Sequence, residues 1–285
     1  MDLDKTLIKA RELSQKNWLH AVHLLNSIED DHPNDFRVQT SLADIYYSRM
    51  QFSHALKYYL KALSVDPGNT KIIYAIGTCY LSRRDYRLAL AYLKRIPDPS
   101  EDVLYNIGYA QALLGMHAQC IKTMLELIKR LPHHPYLYSI LIEQYFELGE
   151  LDEALFYVKQ AEKNAGDSFQ TQSLAGLIYA TREQWLPAYY YYRKAEDNGV
   201  LNNPEHLLRY ANAARMVGRA QECIRILRYG ESKWPYINDI HVMLIRTLIQ
   251  ERKFDEAKAA AEKAKRDVQN APPVLRLLLE RLKDL

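Results

Sequence analysis

The strongest constraint on the fold is a helical pattern over residues 36–67 that recurs along the chain. In FRVQTSLADIYYSRMQFSHALKYYLKALSVDP, apolar and small side chains recur three or four residues apart in two segments, which predicts two short amphipathic helices. Asp66-Pro67-Gly68 ends the second segment, because proline cannot continue a helix and glycine accepts a left-handed turn. The stretch therefore predicts a helix–turn–helix unit.

This unit resembles the tetratricopeptide repeat, a helix–turn–helix of 34 residues with small residues where its helices approach closely. With Phe36 at the first position, an aromatic residue follows the turn and a proline ends the unit. The residues that carry the resemblance are Leu42, Ala43, Tyr46, Phe52, Ala55, Tyr59, Ala62 and Pro67.

Similar units begin along the rest of the chain, and the resemblance covers nearly all of it. Starts at residues 101, 135, 169 and 204 are separated by 34, 34 and 35 residues. The resemblance implies an all-α fold, a right-handed superhelical α-solenoid in which stacked helix pairs share a continuous core. The predicted segments are a degenerate first repeat at 1–35, repeats at 36–69, 70–100, 101–134, 135–168, 169–203, 204–237 and 238–271, and a capping helix at 272–285.

Composition narrows the class of protein. The 22 tyrosines stand beside only 10 glycines and 11 prolines, and so few turn residues argue against a many-stranded β fold. A net charge of +3 gives no general case for nucleic acid or an anionic membrane as partner. With neither a secretory signal nor an apolar run long enough for a bilayer, we expect a cytoplasmic protein that does not insert into membranes.

No catalytic motif stands out, so we expect a protein that is not an enzyme and has no cofactor, metal or small-molecule substrate. The pairs His20/His23 and His133/His134 lack the three or four convergent ligands of a zinc site. The three cysteines, Cys79, Cys120 and Cys223, each lie within an apolar helical pattern and are expected to be buried thiols.

The resemblance also indicates which residues would line a peptide-binding groove. In this family, the groove is built from fixed positions on the first helix of each pair. Tyrosine, phenylalanine and arginine are frequent at binding hot spots, although the same side chains can simply cover the walls of the groove. The predicted groove residues are Asp44, Tyr47, Lys71, Tyr74, Tyr105, Asn106, Tyr109, Tyr136, Glu143, Phe146, Arg209, Asn212, Arg215 and Arg246, with Met243 beside the last of these.

The chemistry of these positions changes along the chain. The middle third is aromatic with acidic neighbours and the C-terminal third is basic, which favours a partner segment with an apolar stretch and an acidic end. The family's carboxylate clamp for chaperone tails is not complete: Lys71 is present, but Ala75 stands where the clamp has arginine.

We therefore expect a non-catalytic scaffold or adaptor that binds a peptide or protein segment in its concave groove. One alternative is a structural subunit of a larger assembly, acting through its convex face or by self-association. Another is a regulatory nucleic-acid binder that uses the basic region 209–233, against which the near-neutral total charge argues. The fold alone does not choose among these functions.

Overall fold

The computed structural model describes residues 2–267 and 273–281. These residues form seventeen helices and no strand, which confirms the predicted all-α class. The chain divides into two compact units, Met1–Leu131 and Pro132–Leu285. No described helix is both long enough and apolar enough to cross a bilayer.

Unit 1 contains eight helices that pack in sequential pairs. The two members of each pair are neighbours in the chain, and each pair also contacts the next pair. The helices are α1 (Leu3–Lys16), α2 (Trp18–Glu29), α3 (Phe36–Ser48), α4 (Phe52–Val65), α5 (Thr70–Ser82), α6 (Tyr86–Leu93), α7 (Glu101–Leu113) and α8 (His117–Arg130).

Unit 2 continues the same arrangement with four further pairs and one last helix. The first helices of its pairs, α9, α11, α13 and α15, contact one another in sequence. The helices are α9 (Pro135–Glu147), α10 (Leu151–Ala165), α11 (Phe169–Thr181), α12 (Trp185–Asn198), α13 (Pro204–Met216), α14 (Ala220–Lys233), α15 (Asn238–Gln250), α16 (Phe254–Asp267) and α17 (Pro273–Arg281).

The first helices of seven pairs begin at the residues where the sequence pattern starts each predicted repeat. Short α6 ends at Leu93, within the predicted repeat at 70–100. That each pair is a separate repeat of one family stays a prediction.

The turn inside each of these seven pairs has three residues, and its middle residue has a positive φ. Glycine fills this position at Gly115, Gly149 and Gly218, since a residue without Cβ adopts the left-handed region without strain. The pair α1–α2 differs because Asn17 alone joins its helices, and the Asn17 side chain accepts a hydrogen bond from the backbone N–H of His20 at 3.1 Å. The other turns have Met50, Arg84, Glu183 and Arg252 at the middle position.

Small residues allow the two helices of a pair to approach closely. A Cβ atom added to Gly176 would lie 2.7 Å from a ring carbon of Tyr192, and one added to Gly77 would lie 2.6 Å from Leu93. These distances are shorter than van der Waals contact, so no larger residue fits without movement of its neighbour. These contacts agree with the small residues that the tetratricopeptide-repeat resemblance implies where the two helices approach closely.

Tyrosines fill the other end of several pairs by stacking between the two helices. The ring centroids of Tyr46 and Tyr58 are 5.7 Å apart, and those of Tyr179 and Tyr191 are 5.3 Å apart. Offset ring pairs at such distances add to the stability given by burial alone. The same stacking occurs at Tyr80–Tyr92 and Tyr145–Tyr157.

Ion pairs link the second helices of successive pairs at a constant spacing of 32 residues. Lys194 Nζ lies 3.1 Å from Glu162 Oε1, and Lys263 Nζ lies 3.1 Å from Glu231 Oε2. Lys61 pairs with Glu29 in the same way. Sequence reasoning missed these pairs, although the spacing was readable as a Glu–Lys recurrence.

Each unit has its own apolar core. The three cysteines are buried free thiols, as the sequence predicted. In α17, Leu275 is buried and Leu278 packs against the core of unit 2. The described residues do not include Leu282, Lys283 and Leu285 of the predicted capping helix.

Candidate protein-binding surfaces

The predicted groove residues of unit 1 lie on its successive first helices, α3, α5 and α7. The hydroxyl of Tyr59 on α4 donates a hydrogen bond of 2.6 Å to Oδ1 of Asp44 on α3. Burial raises the pKa of Asp44, and the hydrogen bond partly offsets that rise. Tyr47 lies beside them, with its ring edge-on to those of Phe52 and Tyr59. Asp44 and Tyr47 therefore use part of their side-chain surface in contacts within the protein.

Polar and aromatic side chains meet between α5 and α7. Asn106 Nδ2 donates a hydrogen bond of 3.1 Å to the hydroxyl oxygen of Tyr74. Burial raises the pKa of Tyr74, with a further rise from the charge of Asp102. Lys71 is exposed at the start of α5. The structure thus brings Tyr74 and Asn106 together and fixes their orientation.

Tyr105 and Tyr109 form an aromatic pair one turn apart on α7. Their ring planes are within 3° of parallel and their centroids are 6.4 Å apart. Tyr109 remains 40% exposed, whereas Tyr105 is half-buried. An exposed ring already held by a neighbour loses little side-chain entropy on binding.

In unit 2, α9 carries three of the predicted groove residues in different settings. Tyr136 is exposed, with its ring centroid 5.9 Å from that of His134. Glu143 lines a pocket of about 360 Å³, and its pKa is raised by burial and by the charge of Glu147. Phe146 is half-buried against the core of unit 2. Part of the Phe146 side chain therefore contributes to packing.

The same pocket contains a contact that sequence reasoning missed. Ser173 Oγ lies 2.7 Å from His206 Nδ1, and burial lowers the pKa of that histidine. Ser173 is itself buried, so the pair holds α11 against α13. No sequence signal marks it, because the two residues are 33 positions apart in different pairs.

The four basic and amide residues predicted near the C-terminal end converge on one cleft. It has a volume of about 540 Å³ and lies between α13 and α15. Leu208, Val242 and Met243 give it an apolar lining. The predicted residues that line it are Arg209, Asn212, Arg215 and Arg246.

The arginines of this cleft differ in their pairing. Arg209 Nη2 lies 3.5 Å from Glu205 Oε1. Arg215 Nη2 donates a hydrogen bond of 2.7 Å to Asn212 Oδ1, a neutral acceptor. Among the described residues, no carboxylate lies within ion-pair distance of Arg215 or Arg246. The cleft therefore holds two guanidinium groups whose charge is not neutralised.

The basic region 209–233 does not form one surface. Arg225 and Arg228 on α14 are paired with carboxylates, and Arg219 lies over the ring of Tyr189 at 5.1 Å. Of the six basic residues in this region, only Arg209 and Arg215 line the cleft.

No group of three or more histidine, cysteine or carboxylate side chains within 2–267 and 273–281 is placed to hold a metal ion. His20 and His23 are exposed. His133 Nδ1 donates a hydrogen bond to the carbonyl oxygen of Asn164 at 2.5 Å, which links the loop before α9 to the end of α10.

Comparisons with known proteins place this arrangement in context. Residues 36–69 match the family model of the tetratricopeptide repeat. The general transcriptional corepressor ssn6 of Schizosaccharomyces pombe is 27% identical over 141 residues, which are 42% of this chain and 13% of the corepressor. The chain thus matches only a small part of that relative's length.

Two solved structures have the same architecture. A tetratricopeptide repeat protein from Parabacteroides merdae gives a TM-score of 0.61 at 12% identity, over 87% of this chain and 98% of that one. YrrB, described as a tetratricopeptide repeat protein with an unusual peptide-binding site, gives 0.52 at 19% identity, over 61% of this chain and 91% of its own. These likenesses confirm the predicted helical-solenoid class.

Proposed function

We propose that the chain is a non-catalytic protein-interaction scaffold that binds the acidic part of a protein segment, and the tetratricopeptide-repeat match at residues 36–69 supports this class of function. The site is the cleft between α13 and α15, which we name the arginine cleft and define by Arg209, Asn212, Arg215 and Arg246. The observation that carries this proposal is that Arg215 and Arg246 line one cleft and that neither is paired with a carboxylate of residues 2–267 or 273–281.

The chemistry of the arginine cleft supports an acidic ligand. A guanidinium presents several N–H groups in a plane, which suits the two oxygens of a carboxylate. Hydrogen bonds between ionised groups are stronger than those between neutral groups. The apolar side chains of Leu208 and Met243 would cover the carbon atoms of the same segment.

The tyrosines of α5 and α7 provide a second proposed contact surface, in unit 1. Tyr74 is oriented by Asn106, and Tyr109 is exposed beside Tyr105. Such aromatic side chains are frequent anchors at interfaces.

A Tyr105→Ala/Tyr109→Ala variant tests this second surface. It should keep its helical circular dichroism but retain less partner protein from a native lysate than the parent does. Equal retention by the variant and the parent would show that this surface does not bind the partner.

The comparisons support the class of partner. YrrB has a peptide-binding site according to its description, and the corepressor is a protein of transcription. We extend to this chain only the binding of protein segments, and we propose a cytoplasmic or nuclear location, which the corepressor match supports.

The two other functions remain alternatives with weaker support. Paired arginines on α14 reduce the basic surface available to nucleic acid. Exposed aromatic residues outside the predicted groove, such as Phe156 and Tyr190, would suit assembly with a second chain. Light scattering at several protein concentrations would reveal self-association.

The proposal is tested with a fluorescein-labelled peptide that ends in three aspartates and a free carboxylate. Its neutral twin ends in three asparagines and an amide. We expect the parent protein to bind the acidic peptide at least about tenfold more tightly than the neutral one, which is about 1.4 kcal/mol.

Variants locate the binding. Arg215→Gln/Arg246→Gln should remove the preference for the acidic peptide, whereas Arg266→Gln should keep it, since Arg266 is exposed on α16 away from the cleft. Equal affinity of the parent for the two peptides, or a preference that survives the double substitution, would contradict the proposal.

A further inference from the structure

The arginine cleft carries charges of both signs, at different ends. Glu205 and Asp239 lie in the first turns of α13 and α15, and both line the cleft. Arg215 is in the last turn of α13, and Arg246 lies beyond the middle of α15. Because α13 and α15 both begin at the acidic residues, the cleft has an acidic end and a basic end.

The pairing of side chains concentrates positive charge at the basic end. Glu205 neutralises Arg209 at 3.5 Å. The hydrogen bond of 2.7 Å from Arg215 to Asn212 Oδ1 orients its guanidinium without changing its charge. Two positive charges therefore remain, one on Arg215 and one on Arg246, on neighbouring helices.

We propose that this basic end binds the phosphate of a phosphorylated protein segment, and that a lysine or arginine of the same segment contacts Glu205 and Asp239. The inference rests on the proposed function, since it names the acidic group that the cleft prefers. A phosphate monoester carries close to two negative charges at neutral pH and three acceptor oxygens. It thus matches two guanidinium groups better than a single carboxylate does.

The acidic end argues for one phosphate rather than a row of phosphates. A nucleic acid carries a negative charge on every nucleotide, so a strand lying along the cleft would bring other phosphates toward Glu205 and Asp239. Like charges held close together are repelled and act against the wrong partner. A protein segment with a single phosphate and a nearby cation avoids this repulsion.

The test uses a set of nine-residue peptides with a central phosphoserine, aspartate or serine. Each is made with lysine or with alanine three residues before the central position, and again three residues after it. We expect the phosphoserine form to bind the parent about tenfold more tightly than the aspartate form. Of the two placements of lysine, one should add about threefold over alanine, a size typical of a partly exposed ion pair.

Two variants divide the site into its halves. Arg246→Gln should lower the affinity for phosphoserine peptides about tenfold and reduce their advantage over aspartate peptides. Asp239→Asn should abolish the gain from lysine, so that lysine and alanine peptides bind this variant with equal affinity. Arg266→Gln serves as the control and should behave as the parent. Circular dichroism shows whether each variant is folded.

The possible results separate this inference from the proposed function. Equal affinity for phosphoserine and aspartate peptides, with both dependent on Arg246, would overturn the phosphate preference and leave the acidic-segment function standing. If the affinity depends neither on Arg246 nor on the acid at the central position, the phosphate preference and the acidic-segment function are both overturned. The choice of a protein ligand would be overturned if an oligothymidylate or phosphoinositide vesicles bound more tightly than every phosphopeptide, and if this binding also depended on Arg246.

Discussion

Two groups of arginines on neighbouring helices of unit 2 have opposite surroundings. On α14, Arg225 Nη2 lies 2.8 Å from Glu196 Oε1 and 2.9 Å from Glu222 Oε1. In the arginine cleft, Arg215 donates a hydrogen bond to the neutral amide of Asn212, and neither Arg215 nor Arg246 forms an ion pair within the described residues. Arg225 therefore contributes to the fold, whereas Arg215 and Arg246 of the cleft are available to a ligand.

The difference shows that the number of charges does not identify a binding site. Both groups belong to the basic C-terminal third of the sequence. The hydrogen bond with Arg225 holds the pKa of Glu222 below its usual range, with further lowering by the charges of Arg225 and Arg193. A partner would have to break these contacts to bind Arg225, whereas Arg246 forms no ion pair with any residue that the structure describes.

The largest expected effect on stability is at Glu231, the buried carboxylate of α14. Its Oε2 lies 3.1 Å from Lys263 Nζ and 3.5 Å from Arg228 Nη1. Glu231→Ala removes the common partner of both cations and should lower the free energy of unfolding by about 2 kcal/mol. Urea denaturation measures this loss. A peptide affinity that falls together with stability would show that α14 and the cleft are not separable.

A smaller loss is expected at Arg225. Arg225→Gln breaks its contacts with Glu196 and Glu222, and because the side chain is partly exposed, the cost should be about 1 kcal/mol. The affinity for the acidic peptide should be unchanged, since Arg225 does not line the cleft. Urea denaturation and peptide titration of the same variant would check both expectations, and weaker peptide binding by a folded variant would contradict the assignment.

The smallest effect on stability is expected at Arg246. Because Arg246 has no ion pair in the described part of the chain, Arg246→Gln should change the free energy of unfolding by less than about 0.5 kcal/mol. The same variant should lose affinity for the acidic peptide. A clear loss of stability would mean that Arg246 supports the fold, as Arg225 does.

Much of the fold was predictable because its signals are local. Each of these signals lies within one helix pair: the apolar spacing, the helix stop at Pro67-Gly68 and the small residue Gly176. The contact of Gly176 with the ring of Tyr192 spans only 16 positions, within one repeat. The helical periodicity of the sequence predicts such contacts within one repeat.

The site was predictable only in part because its electrostatics depend on neighbouring pairs. Arg215 and Arg246 were predicted from their positions on first helices. The neutralisation of Arg225 by Glu196 was not, because the partner is 29 residues away on α12. The sequence predicts Phe146 as a groove residue, but its ring packs partly on the core of unit 2, a contact that the spacing within one repeat does not reveal.

The most direct measurement of the central claim is a charge-reversal cycle at Arg246. The aspartate-ended peptide and a twin ending in three lysines are titrated against the parent and against Arg246→Glu. The account predicts that the substitution weakens the aspartate peptide and strengthens the lysine peptide, with a combined coupling of at least about tenfold. Independent effects, with both peptides changing by the same factor or neither changing, would contradict the claim that Arg246 contacts the acidic group of the ligand.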